Sequence, residues 1–143
     1  EVKKAYDEIT GKGVELDGVL VQEMIKGDRE FVIGLSRDPQ FGPCVMFGIG
    51  GIFTEVIKDV SFRVAPLTEM DAEEMIDEVR SAKLLAGVRG APAADRTALI
   101  DAIICVGQLA ADHPEITELD INPLLVLPAG QGAIAVDVRI ILG

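Results

Sequence analysis

The stretch from Glu118 to Leu127, Glu-Leu-Asp-Ile-Asn-Pro-Leu-Leu-Val-Leu, constrains the fold more than any other. Apolar residues at 119, 121, 124, 125, 126 and 127 predict a largely buried strand. Asp120 and Asn122 interrupt the run, and a period of two places both on one face. A carboxylate wrapped in apolar neighbours is paired or bound to a cation, because an unpaired buried charge costs too much. Pro128-Ala129-Gly130-Gln131-Gly132 has turn chemistry, and the strand that follows, Gly132 to Val138, brings Asp137 back alongside. Asp, Asn and Asp are hard oxygen donors, suited to Mg²⁺ rather than zinc. A structural role fits the same residues: Asp120 can cap a turn or accept backbone N–H groups, and Asp137 can face water at a strand edge.

The 143 residues fit one domain with its own core. Aromatic residues make up only 4% and Trp is absent, so that core rests on Ile, Val, Leu, Ala and Met. A net charge of −11 argues against a nucleic-acid or anionic-membrane surface, which rewards Lys and Arg, but leaves a nucleotide open. Cys44 and Cys105 lie far apart in apolar surroundings and read as reduced core thiols. His113, the only histidine, precedes Pro114 at a helix end, which argues against a zinc centre and leaves few candidates for a Ser–His or Cys–His pair; no catalytic residue is assigned. No signal peptide is expected and no apolar run reaches membrane-spanning length, so a cytoplasmic chain is expected. The start at Glu1, without Met and inside a helical pattern, reads as a piece of something longer.

Taken in order, Val2, Ala5, Tyr6 and Ile9 predict a short helix that docks on the body and ends at Gly11. Gly18 to Ile25 predicts a strand, and Glu30 to Ser36 a second, antiparallel to it. Arg37 to Pro43 is turn chemistry, and Cys44 to Gly48 a third strand. Gly48-Ile49-Gly50-Gly51-Ile52-Phe53 allows close backbone approach to a phosphate, although a plain turn explains it equally well. It is neither a Walker loop nor a dinucleotide fingerprint. Residues 54–65 read as a hairpin with Lys58-Asp59 at its tip and Val60, Phe62 and Val64 on the buried face. Arg63 then points the other way, to hold a phosphate or to pair with Glu55. Thr68 and Asp71 resemble a capping box opening a helix, with Ala72, Met75, Ile76 and Val79 inside and five acidic residues solvated. A shorter helix follows at Ser81 to Leu85, and the longest spans Asp95 to Asp112 with a stripe of Leu99, Ala102, Ile103, Val106, Leu109 and Ala110. The fold class is α+β: a mainly antiparallel sheet with helices packed on one face.

Six words fall in register over nearly the entire chain: Val21-Gln22-Glu23-Met24, Gly27-Asp28-Arg29-Glu30, Asp38-Pro39-Gln40-Phe41-Gly42-Pro43, Phe47-Gly48-Ile49-Gly50-Gly51, Glu55-Val56-Ile57-Lys58-Asp59-Val60 and Glu118-Leu119-Asp120-Ile121-Asn122-Pro123-Leu124. In these words the chain resembles the C-terminal part of the ATP-grasp domain of NDP-forming acyl-CoA synthetases, the group of ADP-forming acetyl-CoA synthetase and succinyl-CoA synthetase. The resemblance implies ATP or ADP and Mg²⁺ as cofactors. It implies that Glu23 and Met24, with Gln22 beside them, form the hinge that reads adenine, and that Glu30 holds the ribose hydroxyls. Asp120 and Asn122 match the acidic-x-Asn metal pair and Asp137 its partner carboxylate; Gly50, Gly51 and Arg63 lie near the phosphate region.

The resemblance also implies what is missing. The family's earlier ATP-grasp half, with phosphate-gripping basic residues, is absent, and His113 matches neither phosphohistidine. Residues 1–143 are thus expected to be a nucleotide and Mg²⁺ half-site, inactive alone, whose partners are the other ATP-grasp half and the CoA-binding and ligase domains. The implied reaction of the whole is acyl-CoA + ADP + phosphate ⇌ acid + CoA + ATP through phosphohistidine. One alternative is a non-catalytic regulatory ATP-grasp-like module of a protein lysine acetyltransferase. Another, a biosynthetic ATP-grasp ligase, is disfavoured by the Phe-Gly-Pro and Gly-Ile-Gly-Gly words. Apolar surface left without the missing half is expected to promote self-association into a homo-oligomer.

Overall fold

The computed structural model describes residues 1–13, 15–27, 29–50, 59–87, 90 and 92–143. Its strands are β1 (Glu30–Asp38), β2 (Gly42–Ile49), β3 (Val60–Val64), β4 (Ile116–Val126), β5 (Ala133–Ala135) and β6 (Val138–Leu142). Its helices are α1 (Val2–Thr10), α2 (Glu69–Glu78) and α3 (Arg96–Asp112), with a 3-10 turn at Arg80–Leu84. All strand pairs are antiparallel, in the order β3-β2-β1-β4-β5, with β6 also on β4. The Asp38 carboxylate accepts the N–H groups of Gln40 and Phe41 and turns β1 into β2. After β4, the N–H of Leu127 donates to the Gly132 carbonyl, and Gly130 and Gly132 supply the positive φ the turn needs.

The core lies on one face of the sheet. Phe31, Ile33 and Leu35 of β1 and Val45 and Phe47 of β2 pack against Met75 and Ile76 of α2 and Leu99, Ile103 and Val106 of α3. The Phe31 and Phe47 rings stack with centroids 5.4 Å apart. The Thr68–Asp71 capping box opens α2 as expected, and all four residues of its predicted apolar face are buried. Asp95 caps α3 by accepting the Ala98 N–H, and its second oxygen accepts the Gly132 N–H. Arg37 crosses from β1 to the other end of α3, donating to the carbonyls of Ala110, His113 and Ile116.

Four expectations are corrected. Gly18 to Ile25 carries no strand, and Leu20, Val21 and Met24 are exposed, because no strand among the described residues pairs with the segment. β1 therefore pairs with β2 and β4 instead. α1 forms but buries no residue, so it does not dock on the body. The faces of β3 are inverted: Phe62 and Val64 are exposed, while Ser61 is buried with its hydroxyl donating to the Met75 carbonyl, and Arg63 reaches α2. Cys44 is half-buried and Cys105 exposed, so neither thiol is a core residue. The first half of the predicted hairpin, including Glu55 and Lys58, lies outside the described residues.

Candidate functional site

The face of the sheet away from the helices carries the polar residues. Strand register lines up one row across five strands: Phe62, Met46, Gly34, Asp120 and Arg139 stand opposite one another in turn. The sheet's two faces are distinguished by their linings. Leu119, Ile121, Val138 and Ile140 line an apolar groove of about 590 Å³ against α3, so their neighbours 118, 120 and 139 turn the other way. There the row, with Ser36 and Glu118 from the adjacent rung, lines a cavity of about 330 Å³. Gly34 forms its floor, where a side chain would press on the Met46 methyl at 3.2 Å.

The register of β4 against β6 runs on beyond β6. Ile121 stands opposite Val138, and the Asn122 N–H donates to the Asp137 carbonyl at 3.1 Å. Alternation within β4 turns Asn122 to the helix-free face, the face of Asp120, while Asp137 lies between β5 and β6 with its carbonyl bonded to the Asn122 N–H. Among the described residues no three His, Cys, Asp or Glu side chains come together as a metal cage.

The other predicted residues divide. Glu30 opens β1 opposite Leu125, and alternation with the core residue Phe31 turns it to the helix-free face as well. Gln22 and Glu23 line a shallow cavity of about 290 Å³ with Ile134, Ala135 and Val136, one residue from Asp137. Met24 next to them is exposed. Gly50 is buried: its N–H donates to the Glu30 carbonyl at 2.9 Å, and a Cβ there would meet the Phe31 carbonyl oxygen at 2.5 Å. Close backbone packing therefore accounts for Gly50, while Gly51 lies outside the described residues. Arg63 is not brought to this face. Its guanidinium bonds Glu78 at 2.5 and 3.1 Å and Glu74 at 3.2 Å on the helix side. The bonds from Glu78 hold the Arg63 pKa above its ordinary value, and Arg63 holds the Glu78 carboxyl below its own. The alternative partner, Glu55, lies outside the described residues.

Sequence reasoning missed Arg139, Glu118 and Ser36 as lining residues. The signal for Arg139 was present: it stands two residues beyond Asp137, a spacing that shares one face on the expected strand.

Comparison with known proteins narrows the reading. Residues 1–142 match the ATP-grasp domain family. The chain is 53% identical over 128 residues to the acetate–CoA ligase (ADP-forming) I subunit beta of Pyrococcus furiosus, covering 90% of this chain and 54% of that subunit. It is 44% identical to acetate–CoA ligase (ADP-forming) I of Archaeoglobus fulgidus, covering 100% of this chain and 22% of that protein. The chain thus spans between about a fifth and just over half the length of these relatives. A solved structure of the Ca. Korarchaeum cryptofilum dinucleotide-forming acetyl-coenzyme A synthetase 1, in complex with coenzyme A and Mg-AMPPCP, superposes with a TM-score of 0.90 at 51% identity, covering 99% of this chain and 63% of that one. On these matches the chain belongs to the ATP-grasp domain family, in the company of the ADP-forming acetyl-CoA synthetases.

Proposed function

We propose that this chain is the nucleotide- and Mg²⁺-binding C-terminal part of the ATP-grasp domain of an ADP-forming acyl-CoA synthetase. The observation that carries the reading is the pair Asp120 and Asn122 two apart on β4, with Asp137 held beside them by the bond from the Asn122 N–H to its carbonyl. The donor set fits the metal: Mg²⁺ is commonly held by one or two carboxylates together with substrate phosphates and water. When bound, the ion neutralises charge on the phosphoryl oxygens. The chain's own residues do the rest. Asp120 and Asp137 supply negative oxygens and Asn122 a carbonyl. Glu30 accepts the ribose hydroxyls from the start of β1. The Gln22–Met24 segment offers its backbone to the adenine edge, beside the apolar residues Ile134 and Val136 of the next sheet edge. In the full-length protein the reaction is acyl-CoA + ADP + phosphate ⇌ acid + CoA + ATP through a phosphohistidine outside these residues, with the other ATP-grasp half and the CoA-binding and ligase domains as partners.

The test is calorimetry of ADP on the full-length protein with and without Mg²⁺, for the natural sequence, Asp120→Ala and Asn122→Ala. The Mg²⁺-dependent part of the affinity falls about tenfold or more in each variant, equal to about 1.4 kcal/mol or more. Unchanged Mg²⁺ dependence in either variant would sink the reading.

A further inference from the structure

On the helix-free face Glu118 and Asp120 of β4 line one cavity, and Arg139 is the one cation among the described strand residues of that face. Such a surface repels a nucleotide until cations compensate it. Arg139 stands directly opposite Asp120 and lines the same cavity of about 330 Å³, floored by the side-chain-free Gly34. Its guanidinium is not committed. The ion pair with Glu118 is long, at 3.6 Å, with the Arg139 side chain 70% exposed and that of Glu118 56% exposed. Pairs of this kind are weak and easily exchanged. The contrast with Arg63 is instructive, since Arg63 is fixed by two carboxylates at short range on the other face.

We infer that Arg139 is a phosphate-contacting residue: it releases Glu118 and donates its planar fork to the outer phosphates of the nucleotide, beside the metal donors Asp120, Asn122 and Asp137. This rests on the nucleotide reading above and adds to it a residue that discriminates by phosphate number. Guanidinium geometry matches two phosphate oxygens at once, which an ammonium does not. Glu118 acts as the resting partner that occupies the guanidinium before the nucleotide arrives.

The experiment uses the full-length protein and four probes, AMP, ADP, ATP and Mn²⁺ alone, with Arg139→Gln, Arg139→Lys and Glu118→Gln. Losing a charge-assisted bond of this type weakens ADP and ATP by about tenfold to a hundredfold in Arg139→Gln. AMP and Mn²⁺ affinities stay within about twofold, because neither probe presents an outer phosphate. Arg139→Lys recovers part of the loss, since charge is restored without the fork. Glu118→Gln tightens ADP, since it removes the competing partner. Equal loss for AMP and ADP, or unchanged ADP affinity in Arg139→Gln, overturns the inference while leaving the nucleotide reading standing. If instead Asp120→Ala binds Mg·ADP as the natural sequence does, the nucleotide reading fails and Arg139 loses its role with it.

Discussion

Arg63 separates two roles that its sequence position left open, a phosphate ligand and a strut. The geometry makes it a strut between β3 and α2. Its guanidinium makes two bonds to Glu78 and one to Glu74, and only 24% of its side chain is exposed. The carboxylates are about half exposed, at 50% for Glu78 and 58% for Glu74, so solvent screens the attraction. Exposed pairs contribute about 0.2–1 kcal/mol, and the forked geometry places this one at the top of that range, so Arg63→Gln is expected to cost about 1 kcal/mol. With a urea m-value of about 1–3 kcal/mol/M, the unfolding midpoint falls by about 0.3–1 M. The pH dependence has a definite sign. Arg63 holds the Glu78 carboxyl below its unfolded value of 4.5, so the stabilisation is present above that pH and disappears as pH falls through the lowered folded value. The midpoints of Arg63→Gln and the natural sequence therefore converge in acid. ADP affinity of the full-length protein stays unchanged. Equal urea midpoints at neutral pH, or a variant that keeps its stability and loses ADP, would refute the argument.

Gly50→Ala puts a methyl group 2.5 Å from the Phe31 carbonyl oxygen and 2.9 Å from its nitrogen, so backbone must move. A loss of about 1–3 kcal/mol by urea titration is expected, and a change within experimental scatter would show that the loop adapts freely. Asp95 is held below its ordinary carboxyl range by the backbone N–H of Gly132 first and of Ala98 second. Its contribution is present above the unfolded pKa of 3.8 and is lost as pH falls through the lowered folded value. Asp95→Asn is expected to flatten the acid limb of the stability profile, and an unaltered acid limb would count against the assigned bonds.

The helices were legible in the chain because their signals are local. Thr68 and Asp71 announce the start of α2, and Asp95 that of α3, through bonds spanning three residues. The pairing of the last strands was legible because a tight turn fixes their register, although the expected strand Gly132 to Val138 is interrupted at Val136 and Asp137. What failed was information about partners. The apolar run from Gly18 to Ile25 calls for cover without saying what covers it, and Leu20, Val21 and Met24 stay exposed. In β3 the period of two was right and its phase was wrong. Ser61 and Arg63 point at the helices because Met75 offers a carbonyl and Glu74 and Glu78 offer carboxylates, none of which is adjacent in sequence. Arg139 went unread for a related reason. The strand Val138 to Leu142 is otherwise apolar, and its one cation gained meaning only when Asp120 was found opposite.

The most direct measurement is paramagnetic broadening by Mn²⁺·ADP of backbone amide signals in isotopically labelled full-length protein. Broadening is expected first at Asp120, Asn122 and Asp137 and then along the row through Gly34, with α2 and α3 the last to respond because the sheet stands between. Broadening centred on α2 or α3, or none at Asp120 and Asp137 under conditions where ADP binds, would contradict the placement of the magnesium–nucleotide on the bare face of the sheet.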